Sequence, residues 1–131
     1  MPRQLYFALD LHDDPALIDQ YERWHRPGTI WPDIVASMAQ PGIIDIEVFR
    51  TGNRLLLVMG VTDHFSAAVK AAADEANPRV QSWEALMWTL QKPLPWAKPG
   101  EKWVPMHRIF SFKKARGAED GAFDTNLEEL D

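Results

Sequence analysis

The chain has 131 residues, a formal net charge of −5 at pH 7 and no cysteine. This length fits one domain, and the lack of cysteine excludes disulfides, thiolate catalysis and thiolate metal sites. The negative charge argues against a nucleic-acid partner, and the absence of a membrane-length apolar run or a cleavable signal predicts a cytoplasmic protein.

The first half of the chain predicts a strand, a helical region in two parts and a hairpin. Apolar and polar residues alternate from Leu5 to Leu11, which is the period of a half-buried strand. Asp14 and Pro15 are typical of a helix start, so we expect a helix from about residue 15 to Arg26. The other predicted elements are a helix over 32–39 and strands over 43–49 and 54–61, joined by a turn at 51–53.

The second half predicts another helical region, a proline-rich loop and a closing strand. Helical patterns over 65–76 and 79–91 are separated by Asn77 and Pro78. The prolines of the loop, Pro93 to Lys102, prevent regular structure. Alternation over 103–112 predicts the last strand. We therefore expect one domain over residues 1–112 and a charged, partly disordered tail over 113–131.

The order of these elements predicts an α+β fold. Strand, helix, strand, strand, helix and strand make the ferredoxin-like βαββαβ arrangement, with both helical regions on one face of an antiparallel sheet. The other face is left open, and Leu56 and Val58 would make it partly apolar. A homodimer that packs sheet against sheet would cover this face.

A pair of side chains at the end of the first helix is the candidate for chemistry. Tyr21 and His25 are four residues apart, which places them on one face of the helix. A phenol and an imidazole can transfer protons on a small sugar or carbonyl compound. The structural alternative is that Tyr21 is a core aromatic residue and His25 a cation at a helix end. Spacing alone does not separate these two interpretations.

Several short motifs also occur in a familiar order, and they are Phe7 to Leu11, Tyr21-x-x-x-His25, Ile30 to Asp33, Gly42, Arg54 to Leu57 and Gln81-x-Trp83-x-x-x-Met87. From about Leu5 to Phe112 the chain resembles the L-rhamnose mutarotase family. The resemblance implies a dimeric ferredoxin-like α/β barrel that interconverts the α and β anomers of a 6-deoxy-L-sugar, with no cofactor and no metal. It also implies that Tyr21 holds the sugar and that His25 is the proton donor.

The chain departs from the family pattern in the wall of the expected pocket. Ile46 stands where the family has a substrate-binding tyrosine, and Glu84 replaces the second residue of a Trp-Trp pair. We expect Trp31 and Trp83 to pack on the sugar and Glu84 to accept hydrogen bonds from its hydroxyls. Because the catalytic pair is kept while this wall changes, we expect L-fucose to be favoured over L-rhamnose.

Two other classes of function share the expected fold. Dimeric ferredoxin-like proteins also include cofactor-free monooxygenases and haem-degrading enzymes, and fold alone does not separate these from a mutarotase. A non-catalytic sugar-binding module would bind the sugar without turnover. The visible absorbance of added haem would distinguish the first alternative, and exchange measurements the second.

Overall fold

The computed structural model describes residues 2–118, which form a mixed α+β fold with one antiparallel sheet. The elements in chain order are β1 (Arg3–Leu11), α1 (Pro15–Trp24), α2 (Pro32–Met38), β2 (Ile43–Thr51), β3 (Arg54–Val61), α3 (Ala67–Glu75), α4 (Pro78–Trp88), β4 (Gln91–Lys92), β5 (Val104–Pro105) and α5 (Phe112–Ala118). The predicted tail thus overlaps α5, and its residues 119–131 lie outside the described part of the chain. No helix within the described residues is long and apolar enough to cross a lipid bilayer.

Local sequence determines where the main helices begin. The Asp14 carboxylate accepts a hydrogen bond from the backbone N–H of Ala16 at 2.8 Å, and Ser66 accepts one from Val69 at 3.2 Å. Asn77 caps α4 in the same way. These side chains satisfy N–H groups that have no partner inside the helix. The start of α1 is therefore well defined, and the candidate pair follows at its C-terminal end.

The sheet has the strand order β2-β3-β1-β4, and β5 also pairs with β1. Leu9 lies opposite Leu55, while Leu57 lies between Phe7 on one side and Val48 on the other. Because side chains alternate between the faces of a strand, these residues share one face. The helices pack on this face, and the buried core comprises Leu11, Tyr21, Ile34, Leu55, Val80, Trp83, Met87 and Leu90.

The opposite face of the sheet keeps apolar side chains at its surface. Tyr6 lies opposite Val58, and Leu56 lies opposite Phe49. Tyr6 is 43% exposed and Phe49 is 52% exposed. The sequence predicted a partly apolar second face, and within the described part of the chain this face exposes large apolar side chains.

The closing strand predicted over 103–112 is wrong for most of its length. Only Val104 and Pro105 pair with β1, and the backbone N–H of Met106 makes one more bond to the Tyr6 carbonyl oxygen at 2.8 Å. Pro105 has no N–H to donate to a strand ladder. The residues that follow are exposed, including Ile109 at 92%. The alternation predicted a strand over 103–112, but residues 107–112 pair with no strand of the described chain and do not extend the sheet.

The helix predicted over 79–91 also ends early, which moves Gln91 into the sheet. The helix stops at Trp88, and Gln91 pairs with Leu11 of β1. Lys92 precedes Pro93, and a residue before proline is disfavoured in helical conformation. Pro93, the first residue of the proline-rich loop, therefore disfavours helical conformation in the residue before the loop. Gln91 lies in the sheet beside the core instead of in the helix.

Candidate active site

Two neighbouring cavities, which share some lining residues and which we call inner and outer, lie between the helices and the helix-covered face of the sheet. The inner cavity has a volume of about 210 Å³ and the outer cavity one of about 600 Å³. The polar residues around the inner cavity are Tyr21, His25, Ser37, Lys70, Asp74, Glu84, Gln91 and Lys102. Both cavities are lined by Tyr21 and His25, so the candidate pair lies where they meet.

The side chains of Tyr21 and His25 stack against each other at the end of α1. Their ring centroids are 4.3 Å apart and their planes are inclined by 36°. Tyr21 is only 4% exposed, whereas His25 is half-buried and caps the helix. The four-residue spacing of the sequence thus places the phenol and the imidazole side by side at the cavity wall.

A hydrogen bond to the backbone determines the tautomer of His25. Its Nδ1 lies 2.7 Å from the carbonyl oxygen of Tyr21. A carbonyl oxygen only accepts hydrogen bonds, so Nδ1 carries the proton. In the neutral ring Nε2 then has a free lone pair and is the nitrogen available to a ligand. In this state Nε2 can accept a proton and has none to donate.

Burial shifts the pKa values of both groups in the direction of the neutral form. It lowers the pKa of His25 below its ordinary value of 6.5, and the hydrogen bond to Tyr21 only partly opposes this. It raises the pKa of Tyr21 to about 12, helped by the negative charge of Glu84 and opposed by the amide of Gln91. Near neutral pH the site therefore holds an unprotonated imidazole nitrogen beside a protonated phenol.

Trp83 forms part of the inner cavity wall and packs against Trp31. The centroid of Trp83 is 5.5 Å from that of His25, at an angle of 72°. The centroid of Trp31 is 5.2 Å from that of Trp83, and the Arg79 guanidinium lies 4.1 Å from the Trp31 ring centroid. Trp31 is absent from the described lining of either cavity. The described contacts of Trp31 are therefore with Trp83 and Arg79, and its contact with a sugar stays a prediction.

Ile46 and Glu84, the two departures from the family pattern, both line the inner cavity. Ile46 also lines the outer cavity and contributes an aliphatic surface. The Glu84 carboxylate is bound by the ammonium group of Lys102, which also lies 4.7 Å from the Trp88 ring centroid. The charge of Glu84 is therefore compensated within the protein.

Sequence reasoning missed several residues of the site. The end of the proline-rich loop and the residue after it bring Lys102 and Trp103 to the inner cavity. Helix α3 contributes Lys70 and Asp74, and β4 contributes Gln91. Lys70 and Asp74 form an i, i+4 ion pair of 2.7 Å. Their four-residue spacing could have predicted this pair from the sequence. The other three depend on how distant segments fold back on α1.

Comparison with known proteins identifies the family. The family model of L-rhamnose mutarotase matches residues 4–112, which is most of the chain. The chain belongs to the L-rhamnose mutarotase family. It is accordingly a sugar mutarotase, an isomerase that acts on carbohydrates.

Three known proteins resemble this mutarotase in sequence or in fold. A Xanthomonas campestris pv. campestris protein named L-fucose mutarotase is 52% identical over 120 residues, which cover 92% of this chain and 96% of that protein. A UPF0734 protein of Dictyostelium discoideum is 26% identical over 107 residues, covering 79% of this chain and 84% of that protein. The crystal structure of an L-rhamnose mutarotase from Formosa agariphila has a similar fold, with a TM-score of 0.59, 17% identity and coverage of 84% of this chain and 98% of that chain.

Proposed function

We propose that this mutarotase interconverts the α and β anomers of a 6-deoxy-L-hexose without a cofactor, and that it favours L-fucose over L-rhamnose. In this proposal His25 transfers the proton and Tyr21 donates a hydrogen bond to the sugar. The observation that carries the proposal is the place of His25, whose ring lines both cavities beside Tyr21 and whose Nδ1 lies 2.7 Å from the Tyr21 carbonyl oxygen.

The proposed chemistry needs only these two side chains. Ring opening removes a proton from the anomeric hydroxyl group and delivers one to the ring oxygen. Both oxygens are bonded to the same carbon, so Nε2 of His25 can accept the first proton and return it to the ring oxygen. The C–O bond of the ring breaks, the aldehyde rotates, and the reverse steps close the ring on its other face. No proton is gained or lost overall.

Tyr21 is suited to a hydrogen-bonding role. With a pKa of about 12 its hydroxyl group stays protonated throughout the neutral range. A hydroxyl group held in a buried site stabilises the negative charge that develops on a sugar oxygen during proton transfer. Tyr21 thus assists the step without ionising.

The charges of the inner cavity favour a neutral ligand. Lys70 is paired with Asp74, and Lys102 is paired with Glu84. His25 is neutral because its pKa is lowered. These groups leave no excess charge at the cavity wall to attract a phosphate or a carboxylate. A reducing sugar that carries no charge fits this environment better than a sugar phosphate.

An aliphatic strip on the sheet suits a 6-deoxy sugar. The strip borders the inner cavity and consists of Ile46, Val48, Leu57 and Met59. A methyl group gains free energy when it leaves water for such a surface, whereas a hydroxymethyl group has to give up hydrogen bonds to water. We therefore place the C6 methyl group of the sugar against this strip.

The preference for L-fucose has two supports. The Xanthomonas campestris relative named L-fucose mutarotase is 52% identical over nearly the whole chain. In addition, Ile46 and Glu84 change the cavity wall relative to the family pattern, and both residues line the inner cavity. A wall with other hydrogen-bonding groups pairs with another arrangement of hydroxyls, because an epimer leaves buried polar groups unpaired.

Exchange spectroscopy of the anomeric protons tests this proposal. With equal concentrations of enzyme and sugar, we expect the enzyme to exchange the anomers of L-fucose faster than those of L-rhamnose, by about tenfold. Faster exchange of L-rhamnose would contradict the substrate preference alone. Binding of both sugars without any exchange would contradict the enzymatic proposal and favour a sugar-binding module, and an intense visible band with added haem would favour the haem-degrading alternative.

We also propose that the protein is a homodimer in which the open sheet faces of two copies meet. Tyr6 and Phe49 are exposed on that face, and the nearby segment after β5 exposes Ile109 at 92% and Phe110 at 69%. A second copy would remove this apolar surface from water. Sedimentation at micromolar concentration should show a dimer, whereas a single species of 15.0 kDa would contradict it.

A further inference from the structure

One buried polar atom of the inner cavity has no hydrogen-bond partner among the described residues. Gln91 is 3% exposed and lines the cavity together with Tyr21 and His25. Its Oε1 is buried and has no hydrogen-bond partner among the described residues. Buried carbonyl oxygens in folded proteins are nearly always hydrogen-bonded, because their hydration is lost on burial. The unpaired Oε1 therefore indicates that a bound ligand donates a hydrogen bond to Gln91.

The position of Gln91 is fixed by the backbone on both sides. Only Thr89 and Leu90 separate it from the end of α4, and in β4 it pairs with Leu11 of β1. Its amide also faces the hydroxyl group of Tyr21, where it opposes the rise in the pKa of that group. The amide thus lies beside Tyr21, while its Oε1 has no hydrogen-bond partner among the described residues.

Other polar side chains of the cavity are already engaged inside the protein. Glu84 is bound by Lys102. Lys70 is paired with Asp74 at 2.7 Å. The Ser37 hydroxyl group donates to a backbone carbonyl oxygen at 2.7 Å. The Gln91 oxygen is therefore an acceptor that these residues leave free for a ligand.

We propose that Gln91 determines which sugar epimer is exchanged, because its Oε1 accepts a hydrogen bond from one hydroxyl group of the sugar. The proposal rests on the function proposed above and names a specificity residue for it. A carbonyl oxygen in a fixed position pairs with a hydroxyl of one configuration and is left unpaired by the other. Gln91 therefore determines substrate specificity, while His25 transfers the proton.

The variant Gln91→Met tests this, because methionine has a similar length and no hydrogen-bonding amide. Gln20→Met is the matched control, since Gln20 is exposed on α1 and outside both cavities. We expect Gln91→Met to lower kcat/KM for the preferred sugar by about 10- to 100-fold. The control should match the wild type. The Tm of Gln91→Met should change little, because the loss of the amide's contact with Tyr21 is offset by the removal of a buried carbonyl group that has no partner among the described residues.

A series of monodeoxy analogues of the preferred sugar identifies the contact. The wild type should exchange one analogue poorly, namely the one that lacks the hydroxyl group bound by Gln91. Gln91→Met should exchange that analogue and the parent sugar equally well, because the contact is already lost. Wild-type selectivity in the variant, or an equal loss on every analogue together with a lower Tm, would overturn the proposal. If the wild type exchanges no sugar, the proposed function fails and takes this inference with it, whereas failure confined to the variant leaves that function standing.

Discussion

Asparagine in place of His25 is expected to lower the rate of anomer exchange by about 10²- to 10⁴-fold, the usual contribution of a positioned acid–base group. The asparagine amide can still donate to the Tyr21 carbonyl oxygen, as Nδ1 of His25 does now at 2.7 Å. It offers nothing at the position of Nε2. The change therefore removes the proton-transfer atom and keeps the hydrogen bond at the end of α1. Exchange spectroscopy of the anomeric protons measures the loss.

The pH dependence of the wild type provides a second measurement on the same residue. His25 has to be unprotonated to accept a proton, and burial lowers its pKa below 6.5. The exchange rate should therefore be constant near neutral pH and fall as the solution is acidified through that lowered pKa. The unfolded chain binds this proton more readily than the folded one, so stability also falls below pH 6.5, and circular dichroism has to show that the protein remains folded.

The variant His12→Asn is the control for both measurements. His12 is exposed and does not line either cavity. It should keep the wild-type rate and the wild-type acid limb. Exchange by folded His25→Asn at the wild-type rate would remove His25 from the mechanism, and an acid limb that persists unchanged in this variant would assign that titration to another group.

The features that the sequence predicted well depend on residues close together in the chain. The start of α1 follows from Asp14 and Pro15, and the hairpin follows from alternation on either side of a short turn at residues 51–53. The stacking of Tyr21 and His25 follows from their four-residue spacing. In each case the local sequence favours one backbone conformation, and tertiary packing did not change it.

The features that the sequence did not predict depend on distant contacts. Helical spacing could not show that Pro93 would turn the preceding residues away from a helix and place Gln91 in the sheet. No local pattern indicated that the same loop would return Lys102 to Glu84. Trp31 packs on Trp83, and an aromatic residue at a helix start has the same sequence signature whether it supports a cavity wall or forms it. Long-range packing determined all three outcomes.

Phenylalanine in place of Tyr21 is expected to lower the exchange rate by about 10²- to 10³-fold, as removal of one preorganised hydrogen-bond donor does in other enzymes. Phenylalanine fills the same buried space, so the core around this position, which is 4% exposed, should remain packed. The matched control is Tyr6→Phe, at the other tyrosine of the chain. Its hydroxyl group donates to Gln4 at 2.7 Å on the exposed side of the sheet, far from the cavity lining. The control should keep the wild-type rate.

Combining Tyr21→Phe with His25→Asn shows whether the two residues act in one step. Because a hydrogen bond from Tyr21 assists only while His25 moves the proton, removing both should cost little more than removing His25 alone. Two independent roles would instead multiply the two losses. If folded Tyr21→Phe retains full activity, the phenol has no part in the reaction. Tyr21 is then a core aromatic residue, as in the structural alternative.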